Sequence, residues 1–309
     1  MPSRAKQEVT INGRPVDLTN LTKALYPLGF TKGQVIDYYI RVSDWLLPHI
    51  QGHPVTLRRC PNGVQGKCFY EKDAPSFTPE WVHTFDVPRR EGGHIHYVLL
   101  DDLPSLVWAA NAANLELHPF LHRVPHIDQP TALVFDLDPG EGADLLSCAK
   151  IAFLLKEALA AAGLECWPKV SGSKGMQLYA PLNTSASYAE TQPFARRLAE
   201  ILESAHSDLV ISSMAKVKRA GKVFIDWSQN SDFKTTVAVY SLRAKQKEPF
   251  VSMPVDWEEL RSAIRRKDAG RLRFSPAAAL KRVEQQGDVF APVLELKQKL
   301  PGNLAEILG

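Results

Sequence analysis

Apolar residues recur along this chain in two rhythms. Val35, Tyr39, Val42 and Leu46 keep helical spacing. They follow a capping-box signal at Thr31 and Gln34, and Pro48 is expected to stop that helix. The same rhythm predicts a helix over LPSLVWAANAANLELH (103–118), with Pro104 in its first turn. It predicts others from Asp144 to about Ala162, ended by Gly163, and over Tyr188–Ala205, Trp257–Ile264 and Pro276–Gln286. Short apolar or alternating runs predict strands in PVTLRRC (54–60), KCFYEK (67–72), HIHYVLLDD (94–102), TALVFDLDPG (131–140), WPKV (167–170), MQLYAPL (176–182) and KVFIDW (222–227). VTINGRPV (9–16) reads as a hairpin turning at Asn12-Gly13. LTNLTKALYP (18–27) reads as a short helix or turn. Strands and helices interleave without a Pro/Gly/Ser-rich linker. The expectation is an α/β fold, a polar disordered tail over residues 1–8, and one domain of two packed lobes over 9–309 with an acidic cleft between them.

Composition narrows this only a little. The chain has 309 residues, 45% hydrophobic and 23% charged, with a formal net charge of +3. Nucleic-acid binding would therefore need local clustering of charge. No apolar run approaches the ~20 residues of a membrane span, and MPSRAKQE lacks a signal-peptide core. Cys60, Cys68, Cys148 and Cys166 make no zinc spacing and read as reduced thiols of a cytoplasmic protein.

The chemistry lies in the acids. Asp136 and Asp138 stand two apart at the end of a strand, so they share a face roughly 7 Å apart. Like charges that close call for a cation between them. Asp226 ends another apolar run. Three hard oxygen donors suit Mg²⁺ or Mn²⁺, and two such ions assist phosphoryl chemistry. SGSKG (171–175) lacks the spacing of a Walker A loop and by itself reads as a hairpin loop. Beside the acids it has a second use, since its glycines expose N–H groups and Ser171, Ser173 and Lys174 can donate to phosphate. Lys216, Lys218, Arg219 and Lys222 before Asp226, and Lys234, Arg243, Lys245 and Lys247 after it, fit a triphosphate or a nucleic-acid backbone. Of the adjacent Phe69 and Tyr70, one is expected in the core and the other exposed, where it could stack on a base. His118, His122 and His126 recur every four residues, but Pro119 and Pro125 forbid one helical face. Of the three, only His118 is placed near a site.

Seven segments in order, LTNLTKALYP, FTKGQVIDYY, PVTLRRCPNG, CFYEKDAP, VFDLDPG, SGSKGMQLY and AGKVFIDWSQN…TTVAVYSLRA, resemble the polymerase domain of bacterial ATP-dependent DNA ligase D. That domain belongs to the archaeo-eukaryotic primase superfamily. The resemblance runs from about Val9 onward and implies a primase-polymerase fold. It implies a nucleotidyltransferase that extends or gap-fills DNA ends in non-homologous end joining, favours Mn²⁺ and prefers ribonucleotides. Asp136, Asp138 and Asp226 would hold two metal ions. Ser171, Ser173, Lys174, Gly175, Gln229 and Arg243 would hold the triphosphate, with His118 near the sugar. Phe69 and Tyr70 would meet the template, Arg219 the nucleic acid, and Asn20, Lys23 and Lys32 a downstream 5′-phosphate. Ku and a ligase domain are the implied partners. No ligase or nuclease segment is visible, which suggests an excised domain or a stand-alone protein. Two positions depart from the pattern: Gln177 stands where many members have His, and Lys245 where some have Arg. Two other functions fit the same residues, a two-metal nuclease and a non-catalytic DNA-end-binding module.

Overall fold

A computed structural model describes residues 6–89 and 91–302. The chain divides into two compact units, each assembled from separated segments. The first takes the residues up to Phe120, with 235–252 and 275–287; the second takes 121–234, 253–274 and the residues from 288 on.

The first unit opens with the hairpin β1 (Lys6–Ile11) and β2 (Arg14–Thr19). Asn12 and Gly13 have φ of 48° and 78°, the paired positive values of a type I′ turn. That turn sets the register, and Lys6 to Glu8 pair with Thr19 to Asp17. These three residues were expected in the tail, but a backbone with ladder partners is ordered however polar its side chains are. Residues 1–5 of that tail lie outside the described residues. Leu18–Pro27 continues as turns, with Asn20 at φ 52°. Helix α1 (Lys32–Ile50) starts at a complete capping box between Thr31 and Gln34. It runs two residues past Pro48, because a proline this near the end removes only its own N–H while Gln51 still donates to Leu47 at 2.9 Å.

Strands β3 (Pro54–Arg59), β4 (Phe69–Glu71), β5 (Thr84–Pro88) and β6 (His94–Leu99) follow. Helix α2 spans Leu103–Asn111 only. Ala113 turns left-handed at φ 64°, and Asn114–Pro119 becomes a strand, β7, antiparallel to β3. The alanines of WAANAAN hide this stop in the sequence. All six residues of β7 are buried, so no alternation marks it as a strand either. Cys60 and Cys68 form a disulfide across the Pro61–Gly63 turn, contrary to the reading of four reduced thiols. Cys148 and Cys166 are free and buried.

The second unit is built on β8 (Ala132–Pro139), α3 (Leu145–Ala161), β9 (Trp167–Val170), β10 (Met176–Pro181), α4 (Tyr188–Ala205), β11 (Val210–Ile211) and β12 (Val223–Asp226). Its six-stranded sheet has the order β11-β12-β8-β10-β9, closed by Met253–Pro254. Only the β11–β12 pair is parallel. Along β8 the odd positions Leu133, Phe135 and Leu137 are fully buried, which leaves Asp136 and Asp138 together on the other face. Among the described residues no helix is long and apolar enough to cross a membrane.

Candidate active site and nucleic-acid interface

Antiparallel pairing brings the acids together. Asp226 on β12 stands directly opposite Asp136 on β8. Asp136 in turn stands opposite Gln177 on β10, and Gln177 opposite Lys169 on β9. Residues opposite one another on neighbouring strands share a face, with Cα atoms about 4.5–5.5 Å apart. One row of the sheet therefore reads Asp226, Asp136, Gln177, Lys169, with Asp138 two residues along the same face. Burial pushes the Asp136 carboxyl up to about 7, and the charges of Asp138 and Asp226 add to this.

Asp226 also shapes the turn after it. One of its oxygens accepts from the Ser228 N–H at 2.9 Å and from the Ser228 hydroxyl at 2.6 Å, capping the single turn Trp227–Gln229. The other receives Gln229 Nε2 at 3.2 Å, with Lys234 Nζ at 3.8 Å. Asn230, fully buried, exchanges two 2.8 Å hydrogen bonds with the Val134 backbone and so ties this turn to β8. The three carboxylates are the right donors for a hard cation. Among the described residues no three carboxylate, imidazole or thiol groups already converge on one point. A cation here would draw Asp226 away from its cap and compete with Lys234.

The loop 171–175 is the hairpin turn joining β9 to β10. Met176 pairs with Leu137, which brings the loop alongside Asp138. Gly175 is required there, since a Cβ would lie 2.1 Å from the Leu137 carbonyl oxygen. Ser171 is buried and its hydroxyl accepts from the Ser173 N–H at 3.3 Å; Lys174 is exposed. Gly140 faces the Arg219 carbonyl in the same way, with 1.8 Å to an added Cβ. The Arg219 guanidinium lies 3.6 Å from the Phe224 ring centroid. The second unit thus gathers Asp136, Asp138, Asp226, Ser171–Gly175, Gln229 and Arg219 at one end of its sheet.

The remaining candidates belong to the first unit and fall into two groups. Glu116, fully buried on β7, organises the first. His118 Nε2 lies 2.9 Å and Arg243 Nε 3.4 Å from one of its oxygens. Arg58 at 2.5 Å and the Ala244 N–H at 2.8 Å reach the other. Burial alone would raise the Glu116 carboxyl, but the His118 hydrogen bond and the Arg243 charge outweigh it and hold it well below the usual range. Burial lowers His118, against the pull of Glu116. Tyr70 stands edge-on to His118 at 5.3 Å and under Arg58 at 5.7 Å. Phe69 and Tyr70 are both exposed, at 37% and 54%, so neither is the core residue expected. β4 has only three residues at a sheet edge, too short to be covered on either face.

The second group is a cavity of about 410 Å³ that unites Asn20, Lys23 and Lys32 with Thr19, Arg59 and Asn62. Lys32 is buried and donates to Thr19 Oγ1 at 2.9 Å. Lys23 is held by the Pro61 carbonyl at 2.7 Å and by Asn62 Oδ1 at 3.1 Å. These lysines are pocket residues rather than an ordinary solvated helix face.

Sequence reasoning missed Glu116, Lys169, Arg59 and Asn62. A lone charge inside each of the apolar runs NLELHP and WPKV was the available signal for the first two. Buried charges are rare without partners.

Comparison with known proteins now adds to this geometry. The family described as LigD, primase-polymerase domain, matches residues 31–290. The multifunctional non-homologous end joining protein LigD of Mycolicibacterium smegmatis is 41% identical over 281 residues, covering 90% of this chain and 36% of that protein. The bifunctional LigD of Bacillus subtilis is 32% identical over 290 residues, covering 92% of this chain and 45% of that one. The chain thus spans less than half the length of either relative. The solved polymerase domain of Mycobacterium tuberculosis ligase D in complex with DNA is similar at a TM-score of 0.84 and 40% identity, over 90% of this chain and 98% of that domain. The family match covers most of the chain and the solved domain agrees with it in fold, and the chain belongs to the LigD primase-polymerase domain family.

Proposed function

We propose that this protein is a metal-dependent nucleotidyltransferase that extends or fills DNA ends during non-homologous end joining. The observation that carries this reading is the sheet face that sets three carboxylates beside a Ser/Gly/Lys hairpin loop. A primer 3′-hydroxyl oxygen attacks the α-phosphorus of a nucleoside triphosphate. A new P–O bond forms, the bond to the β-phosphate oxygen breaks, and pyrophosphate leaves while the hydroxyl proton passes to solvent.

Asp136, Asp138 and Asp226 would hold two Mn²⁺ or Mg²⁺ ions. Such ions supply activation of the hydroxyl and charge neutralisation at the leaving phosphate. Ser171, Ser173, Lys174 and Gln229 hold the triphosphate, and Gly175 lets the loop sit against β8. Arg243 contacts phosphate and His118 the sugar, each fixed by Glu116. Phe69 and Tyr70 offer exposed rings to the template bases. Arg219 meets the nucleic-acid backbone. Asn20, Lys23 and Lys32 receive a downstream 5′-phosphate, and the N-terminus of α1 at Lys32 favours an anion there. Ribonucleotides are the preferred substrates, a ligase domain and Ku the working partners, and the cytoplasm the location.

The test is primer extension on gapped DNA with Mn²⁺ and with ribonucleotides and deoxyribonucleotides supplied separately. Nucleotide-dependent lengthening with pyrophosphate release is the expected result. Shortening without nucleotide would point to the two-metal nuclease. End binding with neither change would point to the non-catalytic module.

A further inference from the structure

Lys169 has no role in the reaction written above, yet it is the fourth residue of the acid row. It is fully buried. Its Nζ lies 2.5 Å from Gln177 Oε1, and the Tyr179 ring is 5.6 Å away. An ammonium can only donate, so the amide of Gln177 must turn its oxygen toward Lys169. The Gln177 nitrogen then faces the next member of the row, and Gln177 hydrogen-bonds the Asp136 carboxyl. Lys169 thereby dictates which end of the amide meets the acids. Gln177 itself is 3% exposed, so it cannot swing out to solvent.

A buried ammonium is costly unless negative charge lies near it. Here three carboxylates lie along the same sheet face, and two of them belong to the same row. The cost runs both ways, since the acids repel one another until a cation reduces their charge. Lys169 is a cation that never leaves. It lies behind Gln177, on the side of Asp136 away from Asp226. It can lessen the repulsion without occupying the place where a metal would sit.

We propose that Lys169, held through Gln177, is the resident counter-charge of the acid row, stabilising the metal-free carboxylates and setting how weakly the site takes a divalent cation. This rests on the reading of Asp136, Asp138 and Asp226 as metal ligands. A site moderated in this way would take its ion most readily together with the phosphates of an incoming nucleotide, whose negative charge offsets Lys169.

The experiment is direct Mn²⁺ titration of the whole chain, reading free Mn²⁺ by electron paramagnetic resonance without nucleotide or DNA. Lys169→Met and the smaller, polar Lys169→Gln remove the charge; Lys169→Arg keeps it. Both neutral variants should bind Mn²⁺ more tightly, on the order of tenfold, since a like charge two strand spacings, roughly 10 Å, from the acids is removed. Their metal-free melting temperatures should fall and their Mn²⁺-induced rise in melting temperature should exceed that of wild type. Lys169→Arg should bind Mn²⁺ within about twofold of wild type. Unchanged or weaker Mn²⁺ binding in a neutral variant that folds overturns the counter-charge. If neither neutral variant folds without metal, recovery of the fold on adding Mn²⁺ supports it, and failure to recover overturns it. If neither wild type nor a neutral Lys169 variant binds Mn²⁺, or Asp138→Asn binds as well as wild type, the metal reading falls and this inference falls with it. The two failures are told apart by the wild-type, Lys169-variant and Asp138→Asn titrations together.

Discussion

Glu116 in the first unit and Asp136 in the second are both carboxylates removed from water, and they are driven in opposite directions. Burial acts on each to favour the neutral form. At Glu116 that tendency is overcome by His118, Arg243 and Arg58, with a backbone N–H besides. At Asp136 the nearest charges are two more carboxylates, and Lys169 offsets them only in part. The first cluster is finished: one anion holds three basic side chains in place. The second is left with an excess of negative charge, which is what a site for dissociable cations requires. Burial alone does not set the direction in which a carboxyl is driven; the sign of its neighbours does.

The largest loss of activity is expected at the unfinished cluster. Replacing Asp136 or Asp138 with Ala should lower extension by roughly 10³-fold or more while DNA affinity stays within about twofold, because cationic contacts carry that affinity. Single-turnover extension and a binding titration on the same DNA check this. Near wild-type extension would remove the metal assignment.

At the finished cluster the expected loss is in folding. Glu116→Ala leaves Arg58 and Arg243 beside one another with no anion between them, and breaking a buried pair in this way costs about 3–5 kcal/mol. Denaturant unfolding should show that loss, whereas Asp136→Ala should show none. Equal destabilisation by the two would erase the distinction.

Lys174→Ala probes the loop beside the acid row. Loss of one charged phosphate contact should raise the nucleotide KM by about 10- to 150-fold, a cost of about 1.5–3 kcal/mol. An unchanged KM would make 171–175 a hairpin turn and nothing more.

The two carboxylates should also differ in how stability depends on pH. The folded Asp136 carboxyl at about 7 lies above its ordinary 3.8, so the folded state holds that proton more tightly than the unfolded chain. Its contribution is fully present below about pH 4 and is lost as pH rises toward 7. Metal-free Asp136→Asn should therefore gain stability over wild type between pH 5 and 8, and Mn²⁺ should close the gap. Glu116 is shifted downward, so its contribution is present above its ordinary 4.5 and lost only in acid. The difference between Glu116→Gln and wild type should stay flat above the ordinary 6.5 of histidine and change only below it, where His118 loses the pull of Glu116. Melting temperatures across that range, with and without metal, decide both.

The smallest effect is expected in the Lys23 and Lys32 cavity, which lies apart from both carboxylates in the sequence. Gapped DNA with a downstream 5′-phosphate should bind several-fold more tightly than DNA with a 5′-hydroxyl, because one terminal phosphate adds only a few charge contacts. Lys23→Ala and Lys32→Ala should reduce the preference, added salt should weaken it, and Asp136→Ala should leave it alone. Equal affinities for the two DNAs in wild type would end the proposed role of this cavity.

Local chemistry made much of this protein legible in its sequence. The Asn12-Gly13 turn, the Thr31–Gln34 capping box, the helix Tyr188–Ala205 and the strand carrying Asp136 and Asp138 follow from backbone preferences and spacing within a few residues. The ordered motifs pointed to the family that the comparisons confirm. What the sequence could not express is what stands opposite what. The row Asp226, Asp136, Gln177, Lys169 joins residues up to 90 positions apart through strand register, which long-range pairing sets. A left-handed Ala113 turned an expected helix into a buried strand and so gave Glu116 its three basic partners. The Cys60–Cys68 bridge closed where a turn folded the chain back, with no spacing signature to announce it. Sequence alone determined the kinds of group present and their local geometry; tertiary structure decided which charges meet out of water, because the energy of a buried charge depends on neighbours brought from elsewhere in the chain.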